Sequence, residues 1–441
     1  MNSESPATDL RQLLTERFAQ KAQPGEGADW LSPRRDMAAN ELLQMPLPNR
    51  KQEAWRYTST AFLEQESFQL VSEDGFEALE LSDIEHLLLA DDTYRLVFVN
   101  GRLIPGLTSI AEPEQGLAIS NIASGASDIA ESVRDQLARI GSHRHVFEAL
   151  NTALMADGSV VHVARNAHLS KPIELLHISI DLETPAIIHP RHLFVLEEGS
   201  RAEVIERYCS IGESRYFNNA LIEVSLEKDS ELRHQRVQEE SRAAQHISDM
   251  HVQQKEGSSY FLAQASLGAA WSRSDIRLEF AGEHAHAEVD GLLLANDKQL
   301  TDMHLEVRHD VANCTSREVV KGILDGKGRV VFDGHIHVAR DAQKTDAMLS
   351  NDNLLLSRAA EVDTKPQLEI YADDVKCSHG TTVGELDQDM LFYLRSRGIA
   401  EAQAQQMLCQ GFAQQALDAI SNESLRQRVA WLLASRLGGG E

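Results

Sequence analysis

The chain has 441 residues, 42% hydrophobic and 25% charged, ordinary values for a folded protein of a length that calls for several units or one elongated repeat body. Its 68 acidic residues outweigh 42 basic ones, and the resulting formal charge of −26 repels nucleic-acid backbones and anionic lipid surfaces, so neither nucleic acid nor membrane is an expected partner. Four widely spaced cysteines (Cys209, Cys314, Cys377, Cys409) without a CxxC argue against a disulfide framework; with no secretory leader and no run of about 18 apolar residues, they point to a reducing cytoplasm.

From Asp9 to Gln44 apolar residues fall at helical spacing, with Leu10, Leu13, Leu14 and Phe18 on one stripe and a second stretch around Met37, Leu42 and Leu43, ended by Pro46 and Pro48. Arg34, Arg35, Arg50, Lys51 and Arg56 could still make a local basic patch, but they lie in a region that otherwise reads as helical surface. The segment NRKQEAWRYTS (Asn49 to Ser59) leads into mixed texture as far as about residue 150, and residues 1–150 read as an α/β cap.

From about Ser159 short β-rich runs follow one another, several alternating with period two between glycine or acidic turn residues. Helix-length apolar periods are almost absent, which excludes a doubly wound α/β fold, where helices must separate parallel strands. Turns recur near Gly199, Asp229, Gly257 and Gly282, and subtracting these positions gives steps of 30, 28 and 25 residues, close to one coil of a β-solenoid. Stacked coils bury their inward side chains on one another, which gives residues 151–384 a single core; a sandwich or barrel is the alternative.

Beyond Gly384 the texture is helical again. Asp387 offers an N-cap and Gly398 a stop for one helix; Met407, Leu408, Phe412 and Leu417 mark a second; Ser421 or Asn422 opens a third. Residues 385–441 therefore form a small helical domain, with Gly438 to Glu441 frayed.

The sharpest chemical motif is DDVKCSHGTTVGELD, Asp373 to Asp387. Cys377 and His379 are two apart, so on a strand they face the same way, and thiolate with imidazole suits iron, zinc or a cluster fragment. Gly380 would admit a close ligand or backbone. Two donors do not complete a cluster that takes four, so further ligands must come from elsewhere, and on the residues alone plain packing outweighs the ligand reading. The histidine pairs His189/His192, His284/His286, His304/His309 and His335/His337 lack a completing donor at recognisable spacing and read as partly exposed strand residues. Cys209, Cys314 and Cys409 read as packing. No phosphate loop, dinucleotide fingerprint, HExxH or nucleophile elbow occurs, and the adjacent acids Asp373 and Asp374 read as a turn.

The stretch from Asp373 to Ile399 resembles the C-terminal signature of the SufB/SufD family of iron–sulfur cluster assembly proteins, and Asn49 to Ser59 resembles its N-terminal motif. The likeness spans nearly the whole chain, and the KCSHG form without further clustered cysteines sides with the SufD branch. It implies a mainly β protein: a right-handed parallel β-helix flanked by an N-terminal α/β cap and a C-terminal helical domain. It further implies a non-catalytic scaffold, a heterodimer with SufB, and two SufC ATPase subunits docked on the C-terminal helices. His379 and Cys377 would then be metal ligands to a transient iron or iron–sulfur cluster shared with SufB. Reduced flavin is associated with such complexes, with no residue here matched to it, and a homodimer of the isolated chain stays open. The other readings are a β-solenoid carbohydrate-active enzyme and a SufB-like principal cluster scaffold.

Overall fold

The structure is a computed structural model, and it describes residues 9–10, 12–13, 29–71, 79–110, 112–126 and 128–437. Its body is a parallel β-solenoid. Successive strands alternate between two sheets, so each coil contributes one strand to each. The first sheet comprises β4 (Leu117–Asn121), β5 (Gly158–Val163), β8 (Arg191–Leu196), β10 (Tyr216–Leu226), β12 (Gln245–Gln254), β14 (Trp271–Phe280), β16 (Leu300–His309), β18 (Arg329–Val338) and β20 (Glu361–Ile370), with the short β1 (Gln69–Leu70) and β7 (Ala186–Ile188) alongside. The second comprises β2 (Tyr94–Val99), β3 (Arg102–Leu103), β6 (Ile173–Ser179), β9 (Arg201–Ser210), β11 (Glu231–Gln238), β13 (Ser259–Ser266), β15 (His286–Ala295), β17 (Thr315–Leu324), β19 (Asp346–Leu355) and β21 (Lys376–Glu385).

Period-two alternation decides which side chains enter the core. In β16, for example, Thr301, Met303, Leu305, Val307 and His309 are buried inside while the residues between them face out. One cluster running from Leu96 and Phe98 to Leu349 fills the interior. The coils are closed by a column of residues with left-handed backbone: Asn166, Gly199, Asp229, Gly257, His284, Asn313 and Lys344, with φ from 56° to 69°. Several donate a backbone N–H to the next coil, such as Asp229 to Glu256 (2.8 Å) and Lys344 to Asp374 (2.7 Å). The recurrent turns are therefore where the spacing expects them, except that His284, rather than Gly282, takes the strained position. Gly282 is needed for another reason: a Cβ there would lie 2.1 Å from the Glu256 nitrogen.

The two ends of the solenoid differ. At the N-terminal end β4 lies antiparallel on β5 and β3 antiparallel on β2, while β2 itself pairs parallel with β6. Helix α1 (Ser32–Gln44) packs beside α2 (Val146–Leu154), whose residues are buried throughout. The buried face of α1 is Arg35, Ala38, Ala39 and Leu42; Met37 and Leu43 are exposed, contrary to the apolar-stripe expectation, because small alanines let the helices approach closely. Leu10 and Leu13 are buried as expected; Leu14, Phe18 and Gly438 to Glu441 lie outside the described residues. Of the five cations singled out in this region, Arg35 is buried and donates to the Met155 carbonyl (2.8 Å) and Arg34 reaches Asp135, while Arg50, Lys51 and Arg56 are exposed.

At the C-terminal end Asp387 caps α3 (Gln388–Ser396), accepting from the Asp389 and Met390 N–H groups, and Gly398 ends it at φ 86°. Helices α4 (Glu401–Asp418) and α5 (Glu423–Leu437) lie on the outer face of the second sheet, where Cys409, Ala413, Leu417, Val429 and Leu433 join a cluster with Leu292, Leu294, Ile323 and Leu354. Asn422 caps α5 by accepting the Leu425 N–H (2.8 Å). β20 and β21 are the last strands of their sheets, and no further strand covers them among the described residues.

Candidate functional site

The uncovered coil carries the Cys-x-His motif. Cys377 pairs in register with Ala347 and His379 with Leu349, both of which point into the core. Cys377 and His379 thus stand on interior rows that have run out of coils. Cys377 is half-buried against the core, and His379 is exposed for lack of a neighbour above it. Their expected common face is present. A Cβ on Gly380 would meet nothing within 4 Å, so the room beside it is open space.

Burial raises the Cys377 thiol, and the carboxyls of Asp346 and Glu318 add to the rise while a backbone N–H of Ala347 opposes it. The thiol therefore keeps its proton near neutral pH until a cation displaces it. Lys376 donates its N–H to Thr345 (2.8 Å), and by alternation the N–H groups of Cys377, His379, Thr381 and Val383 face the free edge. Glu361 of β20 and Tyr371, just past its end, donate inward to Gly328 and Val338, so Pro366, of the opposite parity, places its missing donor on the free edge, where proline is tolerated. Tyr371, Ile370 and Val383 are exposed at this end, as are Met390, Phe392 and Tyr393 on α3, with Phe392 72% accessible.

The N-terminal motif reaches the same end. Trp55 is buried under the Arg273 guanidinium, 3.9 Å from its ring centre; Arg273 donates to the Ala54 carbonyl (2.6 Å), and Thr58 bonds Asp302. Glu53 pairs with Lys365 of β20 (2.5 Å), so the segment straps the outer face of the first sheet as far as its last strand.

The other histidines are not brought together as ligand pairs. His286 meets Glu288 and Thr315, and His304 meets Asp302. His192 and His309 are wholly buried rather than partly exposed; His192 bonds Ser159 and His177, and burial pushes His309 down to about 3, because both occupy inward rows. Cys209, Cys314 and Cys409 are free and buried. Asp374 lies at the turn and pairs with Lys344. A cluster with metal-like spacing that sequence reasoning missed is His145, Glu148 and Asp249, whose ligand atoms all lie within 4.8 Å of one another. Asp249 lies 104 residues beyond His145, so the three leave no motif. Glu148 already accepts from Arg277 (2.6 Å) and faces His251 (3.0 Å), while His145 holds Asp249 (3.0 Å), so a guanidinium and imidazole rings take the contacts a metal would need.

Comparison with known proteins bears on the whole chain. A family profile described as the SufBD core domain of the SUF system for FeS cluster assembly matches residues 179–412, and one for the SufBD N-terminal region matches residues 12–175. The chain is 34% identical to the iron–sulfur cluster assembly protein SufD of Escherichia coli over 93% of this chain and 94% of that one. It is 32% identical to a SufBD-family iron–sulfur cluster assembly protein of Synechocystis, covering 91% and 90%, and 29% identical to the chloroplast protein ABCI7 of Arabidopsis thaliana, covering 90% and 84%.

Proposed function

Because the chain belongs to the SufB/SufD family of iron–sulfur cluster assembly proteins, we propose that it serves as a scaffold subunit and not as a catalyst. In this reading it pairs with SufB through the uncovered coil, docks the SufC ATPase on its C-terminal helices, and contributes His379 and Cys377 to an iron site or nascent cluster completed by SufB.

The observation that carries the reading is that Cys377 and His379 stand on interior rows of a coil that no further strand covers among the described residues. A strand from a second chain added to β21 would satisfy the edge N–H groups and bring its own donors against these two. An added chain is what a two-donor site requires, since a cluster takes four ligands. The ATPase contact is supported by α3, which follows the edge strand directly and exposes Met390, Phe392 and Tyr393, an apolar patch of the kind that marks an interface. Movement there would be transmitted to the edge through the short link between β21 and α3.

Iron and sulfide are cargo in this scheme, and no residue is assigned to flavin. A cytoplasmic location is supported by four cysteines, none of them in a disulfide; no helix among the described residues is long and apolar enough to cross a membrane. The test is co-expression of the chain with SufB and SufC followed by affinity purification and iron and sulfide analysis. A stoichiometric complex whose cluster content depends on this chain is expected. Cluster assembly by SufB and SufC unaffected by omission of the chain would overturn the reading.

A further inference from the structure

Two interior rows of the second sheet lead up to the end site. One runs Val289, Glu318, Leu349, His379 and the other Ala287, Ser316, Ala347, Cys377. All but one of these residues below the last coil are small or apolar, or in the case of Ser316 are engaged, by His309 Nε2 at 3.0 Å. The exception is Glu318. Its side chain is fully buried, and neither carboxyl oxygen has a hydrogen-bond partner of good geometry.

An interior acid without a partner is unfavourable, and such groups call for an explanation beyond packing. Burial holds the Glu318 carboxyl protonated, up to about 8, with Ser316 and the outward-facing Arg317 opposing only in part. The other titratable groups of this region are His309, kept neutral by burial, and Cys377, whose thiol feels the Glu318 charge across the small Ala347. Among the described residues no cation reaches the carboxylate.

That missing cation matches what the end site would bring. A divalent ion held by one thiolate and one neutral imidazole, before a partner adds donors, retains a single positive charge, which a buried carboxylate nearby would offset. We propose that Glu318 is the buried counter-charge of the Cys377–His379 site: as a divalent transition-metal ion binds there, the Glu318 carboxyl gives up its proton to the buffer and the buried carboxylate offsets part of the charge of the ion. Glu318 is not a ligand in this scheme; Leu349 stands between it and His379, and it acts through its charge. The inference rests on the end-site reading above.

The experiment is anaerobic titration of the full chain with zinc ion, a redox-inert probe, by calorimetry at pH 6.5 in buffers of different ionisation enthalpy, which counts the protons released. Glu318→Gln is expected to release about one proton fewer per zinc than the wild type, with zinc affinity at pH 8 lower by about tenfold, the equivalent of one pKa unit. Equal proton release by the two proteins would overturn the proposal. Thermal unfolding checks that the variant is folded, and Glu318→Met, which suits the apolar surroundings, replaces it if it is not. Cys377→Ser separates the two ideas. If it binds zinc as the wild type does, or if the wild type binds none, the end-site reading itself fails and Glu318 with it.

Discussion

His379 sits directly above Leu349 in the parallel register of β21 on β19, so an exposed imidazole continues a row of core side chains. Its substitution therefore removes a donor and almost no buried volume. His379→Ala is expected to change stability by less than about 0.5 kcal/mol, in the range of surface positions, while iron and sulfide recovered with the SufB and SufC complex fall. His379→Cys should restore part of that yield because thiolate also ligates iron, and His379→Lys should not. Normal cluster content in the assembled His379→Ala complex would remove His379 from the site.

The parity of the edge strand makes neighbouring threonines behave differently. Thr381 turns its N–H to the free edge, whereas the N–H of Thr382 belongs to the ladder with β19 and its hydroxyl donates to Asp352 (2.6 Å). Thr382→Pro should destabilise the isolated chain by about 3 kcal/mol, read by denaturant unfolding. Thr381→Pro should leave the unfolding midpoint nearly unchanged and weaken binding to SufB. Unaltered affinity in Thr381→Pro would place the partner somewhere other than this edge.

On the outer face of the second sheet, Arg428 of α5 donates from Nε to both oxygens of Glu239 (2.8 and 2.9 Å), and Glu239 also accepts from the buried Arg207 (2.8 Å). Arg428→Ala leaves Glu239 paired with Arg207 but unlatches the helix, at an expected cost of about 2 kcal/mol. Faster hydrogen exchange should then be confined to residues 401–437 and the strand faces they cover. Uniformly faster exchange would mean that the helices and solenoid unfold as one unit.

The pH dependence of stability divides these acids. Buried Glu239 has its carboxyl lowered by Arg207 and Arg428 against the opposing effect of burial, so its contribution is present above the ordinary carboxylate range and is lost on acidification. Glu318 has the opposite sign: burial raises it to about 8, the native state holds a proton that the unfolded chain has released, and stability drains away as pH rises from about 4.5 to 8. Glu318→Gln should therefore gain on the wild type across that interval, by up to about 5 kcal/mol. A constant difference between the two proteins from pH 5 to pH 8 would show that Glu318 is ionised in the native state.

Much of this architecture is written locally. Period-two alternation, turns returning every 25 to 30 residues, the Asp387 cap and the Gly398 stop each depend on a few consecutive residues, and the structure places them as expected. The common face of Cys377 and His379 is legible for the same reason, since two residues on a strand share a side wherever the strand goes. What the chain order could not reveal is what lies above and below. That Leu349 underlies His379, that Glu318 lies one coil deeper without a cation, and that His192 and His309 are buried all depend on the register between strands about 30 residues apart. The same holds for α1, whose buried face is chosen by the close fit of Ala38 and Ala39 on α2 rather than by its largest apolar side chains. Alternation is a property of one strand, whereas burial and charge compensation are properties of the stack, and only the tertiary structure brings the stacked residues together.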